Sequence, residues 1–314
     1  MAVPYRHLLS QGRVLSALGR TVSLAVLASV RPSKSPDEGA VSASLPGPYI
    51  REAVSPLPPD LIRDYLENVG GQQSSYPGVV PPHLFPQWAF PIATRTLEDT
   101  GYPLLRVVNG GCRVRVNDTI PAGTPLDVRG RLESIEDNGR RAVLEQYVET
   151  GNGTRPDALV ANFYAIVPSP RSTANGDTSS EPRAEPRAER KETPRVPVGA
   201  RAIDTWNLRA DAGLEFALLT GDVNPIHWVS AYARMSGFKD VILHGFGSMA
   251  RTWESLVRGV LAGDAAKLRE LDVRFTRPLV LPAQVHVYIA DNRVFVGDAP
   301  GGPAYLTGTY FLGD

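Results

Sequence analysis

His244-Gly245-Phe246-Gly247-Ser248-Met249-Ala250-Arg251-Thr252-Trp253-Glu254-Ser255-Leu256-Val257-Arg258-Gly259-Val260-Leu261 reads as one long helix with a broad apolar face. Strand-like runs follow it at 268–275, 283–290, 293–296 and 304–312, and Asp291-Asn292 marks a hairpin turn between two of them. A shorter helical pattern, Ala210 to Leu219, precedes it. A long apolar helix followed by antiparallel strands predicts a sheet that buries one face on that helix.

Moving toward the amino terminus, the same order recurs. Pro58 to Val69 has helical apolar spacing after Pro-Pro, and Leu84 to Leu97 reads as a longer helix. Strand patterns follow at 112–116, 126–135, 141–149 and 159–167, with Asn138-Gly139 as a hairpin signal. Asn109-Gly110-Gly111 reads as a bulge or turn, not a phosphate loop, because no Lys-Ser/Thr follows. Between the two units lies a segment with almost no large apolar residue, containing the repeat Glu-Pro-Arg-Ala-Glu-Pro-Arg-Ala at 181–188. Such a segment cannot repay the entropy of ordering, and it predicts a solvated tether. The expected division is therefore a basic segment over 1–47, a unit over 48–167, a disordered linker over 168–197 and a second unit over 198–314. In the basic segment Leu8, Leu15, Leu18 and Val22 share one helical face, with Arg6, Arg13 and Arg20 opposite. An amphipathic helix docked on the protein's own body, a membrane-surface contact, a targeting peptide and a disordered arm all remain open for it. The fold class is α+β, with one unit built twice.

Composition narrows the function classes. The chain has 314 residues, which fits about two domains. Thirty-three basic residues balance thirty-three acidic ones, and a nucleic-acid binder would need a basic surplus. Cys112 stands alone, so neither an internal disulfide nor a multi-thiolate zinc site is expected. No apolar run approaches the ~20 residues of a membrane-spanning helix. A cytoplasmic setting is the expectation.

Chemistry concentrates just before the long helix. Phe216-Ala217-Leu218-Leu219-Thr220-Gly221-Asp222-Val223-Asn224-Pro225-Ile226-His227 runs a helix out at Gly221, a residue suited to a C-cap. Asn224-Pro225 then forces a turn that projects Asp222 and His227 from one short loop. A carboxylate and an imidazole so placed can converge on a single water. Gly245 opens the long helix, where free backbone N–H groups and the positive dipole end could stabilise a developing oxyanion. Acid, base and oxyanion donor are the parts needed for proton chemistry beside a carbonyl.

Gly-Asp-x-Asn-Pro-x-His followed by Gly237-Phe238 and Leu243-His244-Gly245 resembles the hydratase-2 motif of the MaoC-like hot-dog family. That resemblance implies a double hot-dog fold, each half a helix wrapped by an antiparallel sheet. It implies reversible hydration of a trans-2-enoyl thioester to the (3R)-hydroxyacyl thioester, with no metal or organic cofactor. By position it makes Asp222 and His227 the catalytic dyad, Gly245 the oxyanion donor and Asn224 the residue that shapes the loop. The implied substrate is an acyl-coenzyme A or acyl-carrier-protein thioester, and a monomer or homodimer would serve. Many members carry an acidic residue two positions after the histidine, where this chain has Val229. The first half has no Asp-x4-His, and His83-Leu84-Phe85-Pro86 lacks a histidine-glycine pair. It therefore reads as a non-catalytic half, and the resemblance implies that such a half makes room for the acyl chain.

Competing readings are specific. Asp222 could cap a turn, and His227 could be a satisfied core histidine. His244 reads as structural, His286 as a strand residue and Cys112 as a small core residue. Pro81, Pro82, Phe85, Trp88 and Phe90 fit either core packing or a pocket wall. Ser230, Ser236 and Ser248 lack the setting of a nucleophile elbow. Arg234, Lys239 and Arg251 could meet a carrier phosphate or form a solvated face. A non-catalytic acyl-thioester binding module, a partner-dependent subunit and a hot-dog thioesterase stand as alternatives.

Overall fold

The structure is a computed structural model that describes residues 5–7, 44–98, 100–102, 107–168 and 193–313. Ten antiparallel strands form one sheet: β1 Ile50–Val54, β2 Val108–Val116, β3 Leu126–Asp137, β4 Arg141–Gly151, β5 Leu159–Pro168, β6 Arg201–Leu208, β7 Leu268–Phe275, β8 Ala283–Ala290, β9 Arg293–Gly297 and β10 Ala304–Leu312. Their order is β1-β3-β4-β5-β2-β7-β10-β9-β8-β6. Five strands of each half thus follow the same path and meet edge to edge at β2 and β7. At that seam Cys112 lies opposite Val273 and Val114 opposite Leu271. All four are fully buried on one face, while Arg113–Asp272 and Arg115–Glu270 pair on the other. Strand alternation sorts the two faces. The glycine pair beside Cys112 is a bulge in β2, as its sequence predicts. An added Cβ on Gly111 would lie 2.1 Å from the Val273 carbonyl oxygen, so only glycine lets the seam close.

Among the described residues there are five α-helices, α1 Pro59–Val69, α2 Pro86–Arg95, α3 Ala212–Thr220, α4 Ser230–Met235 and α5 Gly245–Gly259, of which α2 and α5 pack on the sheet. In α1, Leu61, Ile62, Tyr65, Leu66 and Val69 are buried at helical spacing. Helix α5 is buried on almost every side, including Met249, Trp253 and Val257. This is the double hot-dog: two central helices, α2 and α5, each against its own part of one shared sheet.

Two strands escape the sequence patterns. β1 and β6 close the two ends of the sheet, and each begins a half that the apolar spacing starts at a helix. Edge strands are covered on fewer sides, so Ile50–Val54 and Arg201–Leu208 carry few buried apolar residues. The predicted tether is also shorter at its carboxyl end than 168–197. Val196 is buried, its N–H donates to Gly302 and the Ala304 N–H donates to Pro194, so the chain is already packed there. The remainder of that tether, 169–192, lies outside the described residues. So does the helix expected within 1–47, apart from Tyr5–His7 and residues 44–47.

Candidate active site

Helix α3 ends at Gly221, whose φ of +80° gives the left-handed C-cap expected there. The chain then turns through Asp222 and Val223 into a short 3-10 turn, Pro225–His227. Asn224 caps that turn, its Oδ1 accepting the Ile226 N–H at 3.3 Å. Asn224 also offers its own N–H to the Asp222 carboxylate. Gly213 fixes how close α3 sits: an added Cβ would lie 2.0 Å from the His227 carbonyl oxygen.

The loop brings Asp222 and His227 together and adds a third group. One donor atom each from Asp222, His227 and His244 lie within 4.8 Å of one another. A water with hydrogen bonds of about 2.8 Å spans such a gap. The imidazoles of His227 and His244 stack, with centroids 3.5 Å apart and planes 22° apart. Phe216 packs against His244 at 5.0 Å. His227 Nδ1 lies 2.8 Å from the Ile242 carbonyl oxygen, so Nδ1 carries the hydrogen and the Nε2 lone pair stays free. His244 Nε2 lies 2.9 Å from the Asp222 carbonyl oxygen and therefore also donates. Its Nδ1 lone pair is buried without a hydrogen-bond partner in the described residues.

Burial dominates the electrostatics. It lifts the Asp222 carboxyl above its ordinary value, against the pull of His227 and of the Asn224 N–H. It pushes His227 below the ordinary imidazole value, against the pull of Asp222 and of the Ile242 carbonyl. The two proton affinities move toward each other, which suits a pair that exchanges one proton. His244 is driven well below its ordinary value by burial and by His227. Two histidines and a carboxylate are also a familiar metal-binding set. Here the rings stack, so their in-plane lone pairs lie in near-parallel planes, and two of the four ring nitrogens already donate to carbonyls. The arrangement favours proton transfer over sharing a cation.

Gly245 begins α5 with its N–H beyond the reach of any intrahelical acceptor. Its lack of a side chain is required by packing as well, since a Cβ would lie 2.5 Å from Cε2 of Phe275. A narrow apolar crevice, too tight to hold a water-sized probe, runs up to Asp222 between Pro86, Phe90, Phe216, Thr220 and Phe246. Two of its walls come from α2 of the first half. Of the aromatic residues there, Phe85 and Trp88 are core, and Phe90 lines the crevice.

Residues 183–299 match the family described as MaoC like domain. Over that stretch the chain is similar to the MaoC like domain. The match runs from the approach to β6 through β9 and stops short of β10. A 3-hydroxyacyl-thioester dehydratase X of Mycobacterium tuberculosis is 27% identical over 170 residues, 53% of this chain and 53% of that relative. Curated alignments cover between 16% and 58% of the relatives' own lengths. Among solved structures, HtdX of M. tuberculosis superposes with a TM-score of 0.63 at 20% identity, over 83% of this chain and 99% of that one. Another M. tuberculosis protein, described as a double hot-dog, gives 0.50 at 17% identity, over 85% and 96% of the two chains. At these identities the structural likeness establishes the fold.

Several residues around the Asp222–His227 loop were not legible as site residues. His244 reads as structural in sequence, yet it stacks on His227; its place directly before Gly245 is the one signal. Gly213, Phe216 and Phe246 carry no local signal. His286 lies on β8 with Nδ1 2.9 Å from Thr205 Oγ1, away from the cluster. Cys112 is fully buried, and burial pushes its thiol far above the ordinary value. Arg234 pairs with Asp240 at 2.9 Å on the surface. Arg251, by contrast, is largely buried within α5 rather than on a solvated face, and desolvation brings its guanidinium down to about 10.

Proposed function

We propose that this chain interconverts trans-2-enoyl and (3R)-hydroxyacyl thioesters by adding and removing water. The observation that carries the reading is that a carboxylate oxygen of Asp222 and a ring nitrogen of His227 lie within 4.8 Å of each other, a gap one water spans, while His227 Nδ1 is held by the Ile242 carbonyl. In this reading the pair holds a water, one member takes its proton as the oxygen attacks C3, and the pair returns a proton to C2 on the same face. Charge that develops on the thioester oxygen falls to the Gly245 N–H and the positive end of α5. Asn224 holds the loop in shape. His244 props His227 from beneath and ties down the Asp222 backbone, acting through the dyad and not on the substrate. The family match and the dehydratase named among the relatives support hydratase chemistry. The thioester's carrier, coenzyme A or an acyl-carrier protein, and a cytoplasmic setting belong to the same reading.

The test is loss of enoyl absorbance when the protein is given a crotonyl thioester, with the product resolved as its 3R or 3S form. Expected are turnover to the 3R product and no release of free thiol. Thiol release without hydration would make the protein a thioesterase and overturn the reading. Binding with neither reaction would make it an acyl-thioester binding module.

A further inference from the structure

The crevice beside Asp222 has walls of two kinds. Phe246 is 3% exposed and Phe216 is 1% exposed, so neither has free volume to turn into. Phe90 is only half-buried and stands on α2, a helix interrupted by Pro91. Behind Phe246 the interior is filled. Phe85 lies 5.8 Å away, Phe163 lies 5.5 Å away and Phe275 lies 6.4 Å away, each ring edge-on to it. Phe85 and Phe163 also pack on each other at 5.3 Å. Four aromatic rings thus occupy the space between the halves where a long chain would have to lie. The resemblance to the MaoC-like family implies a first half that makes room for the chain; these residues close that room instead. Close-packed interiors yield poorly to extra volume.

Resting on the thioester reading above, we infer that the acyl pocket is short: Phe246 is its fixed end wall and Phe90 its movable side wall, so thioesters of short, unbranched acyl groups fit and long-chain ones are refused. A substrate enters by displacing the half-exposed Phe90 ring, and its terminal methyl stops against Phe246. Added methylenes then meet a packed ring cluster instead of a greasy slot. This inverts the ordinary trend, in which each buried methylene strengthens binding.

Saturated acyl-pantetheine thioesters test this without relying on turnover, because they cannot react and share the arm common to both carriers. Calorimetric binding of butyryl- and decanoyl-pantetheine to the full chain should favour butyryl by about 10-fold or more, the discrimination available from pocket size. Phe246→Leu should reduce or reverse that preference. Phe90→Ala should tighten both ligands while leaving the preference in place. Equal or tighter decanoyl binding by the wild-type chain overturns the inference, as does an unchanged preference in folded Phe246→Leu. Should Phe246→Leu fail to fold, the wild-type preference and Phe90→Ala still decide it. Preferential butyryl binding without crotonyl turnover would sink the hydratase reading and leave the short pocket standing. Binding of neither ligand would sink both.

Discussion

The two halves share a scaffold and differ at the same few positions. α1 ends at Gly70 with φ +81°, and α3 ends at Gly221 with φ +80°. Each half then has a 3-10 turn that begins with proline and contains a histidine: Pro82-His83-Leu84 in the first half, after an intervening turn at Gln73–Ser75, and Pro225-Ile226-His227 in the second. The histidines then part ways. His83 is fully buried, its Nε2 lies 2.7 Å from Glu254 Oε1 on α5, and its Nδ1 lies 3.1 Å from the Tyr65 hydroxyl. Tyr65 donates to the His83 carbonyl, and Tyr76 donates to the same Glu254 oxygen. Both nitrogens of His83 are therefore engaged, and the ring serves as a clasp between halves. His227 engages only Nδ1. A second difference lies one step on. The first residue of α5 is Gly245, which offers an N–H, and the first residue of α2 is Pro86, which has none to offer. One half keeps a free lone pair and a free donor at its central helix; the other has used the first and lacks the second.

The largest expected effect falls on the free pair. Asp222→Asn keeps the shape of the loop and removes the proton-accepting carboxylate, so kcat/KM for a crotonyl thioester should fall by roughly 10²–10⁴-fold. Melting temperature should hold near the wild-type value. Glu254→Gln should leave kcat within a few-fold, because the clasp takes no part in chemistry. A large kcat loss in Glu254→Gln at unchanged stability would break the contrast between the halves.

The clasp should show itself in stability. Glu254→Ala strands His83 in a fully buried site and should cost about 3–5 kcal/mol in urea denaturation, as for a broken buried ion pair. Glu254→Gln retains an acceptor and a polar group for Tyr76, and should cost less. Equal losses for the two variants would show that shape alone, not the pairing, matters at this contact.

How much of this contrast is legible in the sequence depends on range. The α1, α2 and α5 patterns and eight of the ten strands are periodic and read directly. The Asp222–His227 pair is legible because the two lie five positions apart across one proline turn that confines both ends. The His83 clasp is not, because its partner lies 171 residues away and nothing in the spacing announces it. Nor is the ring cluster around Phe246, which draws on α2, β5, β7 and α5. The edge strands β1 and β6 were hidden for the opposite reason: their chain is local, but too little of it is buried to leave a pattern.

The glycine at the head of α5 sharpens the contrast with Pro86. Gly245→Ala keeps the N–H but drives a methyl into the Phe275 ring, whose Cε2 would lie 2.5 Å from it. Overpacking of this kind costs about 1–3 kcal/mol. Gly245→Ala combined with Phe275→Leu should recover part of that loss, since the shorter side chain can give way. Failure of the double variant to recover anything would assign the glycine's importance to the backbone, not to the ring.

The smallest effect is a slope. His244 and His227 are held neutral by burial, below the ordinary histidine value of 6.5. Groups depressed on folding contribute stability that is full above 6.5 and lost as the pH falls toward their folded values, because the unfolded chain then binds more protons. Asp222 works the other way: its raised value adds stability in acid that is lost as the pH rises through it. Both variants to be compared must therefore keep Asp222. His244→Phe preserves stacking between His227 and Phe216 but removes one depressed imidazole and the bond to the Asp222 carbonyl. It should be less stable than wild type at pH 8. Below pH 6.5 its stability should fall less steeply than that of wild type, by at most about 1.4 kcal/mol per pH unit. Parallel curves would mean that His244 takes up its proton in the folded protein as readily as in the unfolded chain, and the stacked imidazole pair would then owe its place to something other than neutrality.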